Sequence, residues 1–183
     1  MNTALLLIDI QNDYFPGGRM ELEGSPEASS CAKKLLSYFR ETTMPVVHIH
    51  HSSLQPGATF FLPGTEGAKI HASVSPMRDE MVIEKHYPNS FRDTSLLDHV
   101  KKAGIAHLVI CGMMTHMCVD ATTRAAFDHG FQCTVVSDAC ATRSLAFGDK
   151  LIPADHVHGA FMAALNAVYA RVVTTGDFLA KDR

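Results

Sequence analysis

Tryptophan is absent from the 183 residues, and the five cysteines include no CxxC pair. No apolar stretch approaches the roughly 20 residues that cross a bilayer as a helix, which removes an integral helical membrane protein from consideration. The N-terminus, Met1-Asn2-Thr3-Ala4-Leu5-Leu6-Leu7-Ile8-Asp9, lacks the basic segment and cleavage site of a secretory signal. It reads as a strand, and the expected compartment is the cytoplasm. An odd cysteine count in a chain large enough to fold without staples makes reduced thiols the default for Cys31, Cys111, Cys118, Cys133 and Cys140. Charge of one sign is also missing, because 16 Lys+Arg stand against 19 Asp+Glu and no polybasic run occurs. Nucleic acid is therefore not an expected partner. Neither GxGxxG nor a Walker loop is present, so nothing points to a nucleotide cofactor. No repeat, low-complexity tract or linker divides the chain, and one domain over residues 1–183 is expected.

With 46% hydrophobic and 19% charged residues the composition is globular. Residues 4–10 are apolar on both faces apart from Asp9, as in a central parallel strand covered on both sides. Similar short runs recur at 45–50, 81–84, 107–111, 132–136 and 171–174, and helical patterns fall at 26–41, 94–103, 116–129 and 154–169. In the last of these Pro153 suits a first helical position, and Val157, Phe161, Leu165 and Val168 trace a stripe expected to be buried. Alternating strands and helices predict an α/β fold of three layers, a Rossmann-like doubly wound sheet of about six mainly parallel strands with helices on both faces. The connection from His51 to Glu80 breaks this rhythm with Gln55-Pro56-Gly57 and Leu62-Pro63-Gly64-Thr65-Glu66-Gly67, and long loops of this kind are often functional.

Open parallel sheets bind ligands beyond the carboxyl ends of their strands. Asp9 closes the first strand there, Lys85 closes the 81–84 strand, and Gly112-Met113-Met114-Thr115-His116-Met117-Cys118 follows the 107–111 strand. Thr115 would serve as N-cap of a helix through Val119 to His129, with Cys118 in its first turn. The helix dipole and the Lys85 ammonium would then favour a thiolate, and Asp9 would take the thiol proton and deliver it to a leaving group. The combination reads as a nucleophilic hydrolase site. Each part also has an ordinary explanation, since strand-end charges are commonly caps or solvated groups and a lone cysteine is commonly core.

Three segments carry a resemblance: Leu7-Ile8-Asp9-Ile10-Gln11-Asn12-Asp13-Tyr14, the stretch KHYPNSF from Lys85 to Phe91, and Cys111 to Thr122, CGMMTHMCVDAT. In this order, and over nearly everything from Ala4 to Phe178, the chain resembles the isochorismatase-like cysteine hydrolases. That family includes nicotinamidases, N-carbamoylsarcosine amidases, ureidoacrylate and maleamate amidohydrolases, and isochorismatase itself. The resemblance implies Asp9 as general base and acid, Lys85 as its electrostatic partner and Cys118 as nucleophile. It further implies a cis peptide between Met113 and Met114, and an oxyanion hole made by the backbone N–H groups of Met114 and Cys118. Gln11, Tyr14, Phe91 and Met117 occupy positions that line the pocket in similar enzymes, although each also reads as ordinary packing. Family members commonly form dimers or tetramers, so a homo-oligomer is expected.

His48, His50, His51 and His71 raise the question of a metal, and nicotinamidase-like relatives do bind a divalent ion in this region. Their pattern places an Asp and a His just after the strand, whereas this sequence has His50-His51-Ser52-Ser53 without that Asp. No metal and no cofactor are therefore expected. The resulting reading is a hydrolase that cleaves the C–N bond of a small amide or carbamoyl compound through a thioester on Cys118. The alternatives are vinyl-ether hydrolysis of the isochorismatase type, a catalytically silent binding protein, and a redox thiol protein in which Cys111 or Cys140 resolves Cys118.

Overall fold

A computed structural model describes residues 2–180. Strand β1, Thr3–Ile8, is buried along almost its whole length because both of its faces are apolar. Around it lie β2 (Val46–His51), β3 (Met81–Lys85), β4 (His107–Met113), β5 (Gln132–Ala141) and β8 (Arg171–Val173), in the order β3-β2-β1-β4-β5-β8. Every neighbouring pair in this sheet is parallel. A separate antiparallel hairpin joins β6 (Leu145–Phe147) to β7 (Lys150–Ile152).

Parallel neighbours need crossovers, and the helices supply them. Helix α1, Ser25–Glu41, carries a proline in its first turn and buries Ala28, Ala32, Leu35, Leu36 and Phe39, one stripe at helical spacing. It packs on β5 and β1 together with α5 (Thr175–Ala180), whereas α3 (Asp120–Asp128) and α4 (Ala154–Val168) pack on β5 and β8 and against each other. Helix α2, Leu96–Lys102, joins β3 to β4. The layers are those of a doubly wound α/β fold. Among the described residues no helix is long and apolar enough to cross a membrane.

The α4 stripe departs from expectation. Val157 and Leu165 are buried, but Val168 is 63% exposed and Met162 is buried instead. The helix rests on the three-residue edge strand β8 rather than on the broad middle of the sheet, so its last turn has little beneath it. Pro153 is the N-cap, one position before the first helical residue.

The sheet changes winding direction between β1 and β4, and in such folds the crevice beyond those strand ends is where ligands bind. Gly112 makes the close approach possible. Its φ is 128°, and a Cβ there would lie 2.0 Å from the carbonyl oxygen of Ile8. At this point the β4–β5 register shifts, so the end of β4 leaves the regular ladder as it enters the Met113–Met114 segment.

Candidate active site

Asp9 ends β1 in the left-handed region at φ 50° and is completely buried. Lys85, the last residue of β3, is also completely buried and lies beside His51 of β2 in the parallel register. Cys118 comes from the opposite side of the switch point, in a π-helical turn, Thr115–Val119, that precedes α3. In that turn the carbonyl of Met114 accepts the N–H groups of Met117 at 3.1 Å and Val119 at 3.2 Å. The Met113–Met114 peptide is cis.

An ammonium has three protons to donate, and Lys85 finds three acceptors. Its Nζ donates to Asp9 Oδ2 at 2.6 Å, to His51 Nδ1 at 3.1 Å and to Cys118 Sγ at 3.3 Å. Burial alone would pull the Lys85 ammonium down, but Asp9 and Cys118 outweigh it and hold the group above the usual lysine value. The other carboxylate oxygen, Asp9 Oδ1, is buried without a hydrogen-bond partner among the described residues. Lone pairs closed off from water in this way are costly to leave unpaired.

Cys118 is where the electrostatics differ from expectation. Burial pushes its thiol well up, the Asp9 carboxylate adds to the rise, and Lys85 opposes both without reversing them. These surroundings favour the neutral thiol. The residue is only 6% exposed, so desolvation of the charged form outweighs the attraction of the single cation. Nor does Thr115 cap a helix. Its hydroxyl donates to the Ala141 carbonyl at 3.3 Å and bonds His158 Nδ1 at 2.9 Å, while the position before the turn belongs to Met114.

Cys118 opens onto a cavity of about 440 Å³. Tyr14, Met114 and Met117 line it, together with His51, Tyr87 and the strap of residues 53–61. Asp9 and Lys85 lie beneath this lining and support Cys118 from below. Two of the expected wall residues are elsewhere. Gln11 is fully buried, its amide nitrogen donating to the carbonyls of His51 at 2.9 Å and Ala68 at 2.7 Å while its oxygen accepts the His51 N–H at 2.8 Å. These bonds tie the end of β2 to the 66–68 turn. Phe91 is buried in the core, stacked near Phe131 at 6.1 Å and edge-on to His129 at 5.2 Å.

Phe60 and Phe61 take the role expected of Phe91, and sequence reading did not single them out. The buried Asp13 places them: its Oδ2 accepts the Phe61 N–H at 2.6 Å and its Oδ1 accepts the Arg19 N–H at 3.2 Å. Ser53 N–H closes the neck of the strap on the Phe61 carbonyl at 2.9 Å. The only signal for this wall was the length of the 51–80 connection.

The histidines do not converge on a metal. His48 bonds Glu80 at 2.9 Å, His71 stacks on Phe15 with ring centroids 3.6 Å apart, and His50 stands 3.9 Å from Glu84. Burial, followed by Lys85, lowers His51 to about 4, so this ring is neutral and its Nδ1 lone pair is occupied by the ammonium. Among the described residues no group of three or more His, Cys, Asp or Glu could hold a metal ion. The residues present do not fit the metal of nicotinamidase-like relatives. All five cysteines are free.

With this geometry in view, the comparisons with known proteins are decisive about family. The isochorismatase domain model matches residues 3–177. The chain belongs to the isochorismatase family. It is 56% identical to the isochorismatase family protein YddQ of Bacillus subtilis over 98% of this chain and 99% of that protein. A crystal structure of an isochorismatase hydrolase from Oleispira antarctica superposes with a TM-score of 0.94 at 50% identity, covering 98% of this chain and 96% of that one. At greater distance, maleamate amidohydrolase of Pseudomonas putida is 27% identical over 95% of this chain and 84% of that protein. Relatives named nicotinamidase and streptothricin hydrolase also match. This isochorismatase-family member is accordingly a hydrolase.

Proposed function

We propose that this hydrolase is a cysteine-dependent amidohydrolase that cleaves the C–N bond of a small amide or carbamoyl compound through a thioester on Cys118. The observation that carries the reading is the buried Lys85 ammonium bridging Asp9 and Cys118, with Asp9 Oδ1 left unbonded beneath an open cavity. Relatives named maleamate amidohydrolase and nicotinamidase support the same bond class.

In the first half-reaction Asp9 Oδ1 takes the Cys118 proton as sulfur attacks the substrate carbonyl carbon. Because the thiol is held protonated at rest, proton transfer and attack are coupled, and a free thiolate need not accumulate. Lys85 stabilises the negative charge on sulfur as it develops and keeps Asp9 oriented. The backbone N–H groups of Met114 and Cys118 face the oxyanion; the Met114 carbonyl accepts from the residues on either side of Cys118 and leaves the Cys118 N–H outside that pair. The tetrahedral adduct collapses with cleavage of the C–N bond, and Asp9 returns the proton to the leaving nitrogen. In the second half-reaction Asp9 deprotonates water, the hydroxide adds to the thioester, and the S–C bond breaks to give the acid and Cys118, which recovers its proton from Asp9. No metal is needed for either half, since the thiol is itself the nucleophile. Five free cysteines suit a reducing cytoplasm.

Intact-mass spectrometry of enzyme quenched during turnover tests the reading. An acyl adduct on Cys118 is expected, absent in Cys118→Ala, which should lose turnover. Near-wild-type turnover by Cys118→Ala without an adduct would instead favour vinyl-ether hydrolysis, in which Asp9 protonates a carbon and sulfur has no role.

A further inference from the structure

The cavity above Cys118 has walls without formal charge. Among the described residues, no Arg, Lys, Asp or Glu lines it. Beneath it the two ionised groups, Lys85 and Asp9, cancel each other at 2.6 Å, and all three protons of the ammonium are already donated within the protein. Two imidazoles reach the wall. His51 is neutral, held so by burial and by Lys85. His86 bonds the Ser52 carbonyl at 2.9 Å through Nδ1, and its other nitrogen lies 3.5 Å from Glu84.

The apolar side of the cavity is an aromatic corner. Tyr14 meets Phe61 edge-on at 4.6 Å, and Phe60 packs against Phe61 at 5.0 Å. Met117, 41% exposed, lies across from them as an adaptable thioether surface. Such a pocket rewards a flat, apolar body, and it offers an anionic substituent neutral donors such as Ser53 and Gln55 but no cationic partner in its lining to offset the loss of water. The cations near the cavity stand outside its lining: Arg19 donates to the Thr59 carbonyl at 3.4 Å, Arg92 covers the Tyr87 ring at 3.7 Å, and the exposed Arg143 acts on Tyr14 through its field.

Resting on the amidohydrolase reading, we infer that the substrates of this site are uncharged amides with a flat apolar or aromatic body, and that amides bearing a carboxylate are rejected. The substrate carbonyl sits over Cys118, its apolar body lies against Tyr14, Phe60 and Phe61, and the neutral His51 ring supplies a polar contact without selecting a charge.

Matched pairs that differ only by carboxamide against carboxylate test this directly: terephthalamide with terephthalamate, and succinamide with succinamate. The wild-type enzyme should turn over the diamide at least 30-fold better in kcat/KM than its carboxylate partner, and the terephthal pair should outperform the succinyl pair. Equal or better use of the carboxylates overturns the inference. Loss of such a preference in Arg143→Ala would then identify Arg143 as an anion anchor. Calorimetric binding to Cys118→Ala separates substrate class from chemistry. If no amide is turned over but Cys118→Ala still binds the diamides at least 30-fold more tightly, the amidohydrolase reading fails and the uncharged class stands. If neither member of either pair is turned over or bound at millimolar concentration, the inference is wrong.

Discussion

Replacing Lys85 with methionine keeps most of the side chain's volume and removes only its charge and donors. Lys85 and Asp9 are both fully buried, so the unpaired Asp9 carboxylate would have no surface exposed to bulk solvent. A strand-end pair is often partly solvated and cheap to break, but this one is sealed. Breaking a buried pair from one side typically costs about 3–5 kcal/mol. For a chain of this size that corresponds to a fall in Tm of roughly 6–20 °C. Part of the loss is relieved because Asp9 can take up a proton, and that relief is what removes its capacity as a base. Turnover should therefore drop by about 100- to 10,000-fold, the usual worth of a positioned general base. The double variant Asp9→Asn/Lys85→Met makes the argument testable. Removing both charges eliminates the uncompensated group, so stability should recover by about 2 kcal/mol or more relative to Lys85→Met while activity stays lost. Urea denaturation of wild type, both single variants and the double variant, with turnover measured on each folded protein, supplies the full cycle. A Lys85→Met variant that loses less than about 1 kcal/mol, or a double variant no more stable than the single one, would refute the claim that this is a sealed, mutually compensating pair.

Glu80→Gln should reveal an acid-sensitive clamp away from the site. Arg40 grips Glu80 at 2.7 and 2.8 Å and is the main reason its carboxyl falls to about 2. The folded value is depressed, so the stabilisation is complete above the unfolded carboxylate range near pH 4.5 and is lost as pH falls through about 2. At neutral pH the variant should be about 1–3 kcal/mol less stable, and the gap from wild type should close in melts taken stepwise toward pH 2; a constant gap would contradict it. Phe91→Leu should cost about 1 kcal/mol or slightly more in stability and leave KM unchanged, whereas Phe60→Leu should raise KM with little effect on stability, as steady-state kinetics and melts would show. The reverse pattern would return Phe91 to the pocket. Gly67→Ala tests the strap, because a Cβ there would lie 2.1 Å from Asp13 Oδ1. Displacing Asp13 from the Phe61 N–H should raise KM about tenfold with kcat within about twofold, since a hydrogen bond to a charged group is worth about 1.5–3 kcal/mol.

What could be read from the sequence was what local patterning controls. β1 and β4 announce themselves by burial on both faces, and parallel topology then places Asp9 and the Met113–Cys118 segment side by side at the switch point. The extension of β5 to Ala141 was not visible, because Ser137 and Asp138 interrupt the apolar run. Asp138 is polar for a tertiary reason: it accepts both the N–H and the hydroxyl of Thr175 at the start of α5. The β6–β7 hairpin was equally hidden, since its large side chains face outward, Phe147 at 79% and Leu151 at 71% exposure, with no buried face to impose alternation. The aromatic wall depends on Asp13 reaching across 48 positions to the Phe61 N–H, a contact that no periodicity encodes.

Gln11 and Phe91 lie outside the cavity lining, and the surroundings of Cys118 favour the thiol, for one physical reason. Proximity along the chain to a reactive group says little about what surrounds each atom. The Gln11 amide bonds backbone and the Phe91 ring packs beside Phe131, and neither residue is part of the lining of the cavity above Cys118. For Cys118 the decisive quantity is the absence of water around sulfur, which favours the neutral form more strongly than one ammonium at 3.3 Å favours the charged one. A thiol held neutral by its surroundings is less open to adventitious oxidation and alkylation, because those reactions proceed through thiolate. On the proposed mechanism, reactivity would then be conditional on a carbonyl carbon arriving within reach of Cys118 with Asp9 Oδ1 free to take the proton. Burial of the Asp9–Lys85 pair beneath the cavity would thus supply both the proposed base and the desolvation that disfavours the free thiolate until substrate is bound.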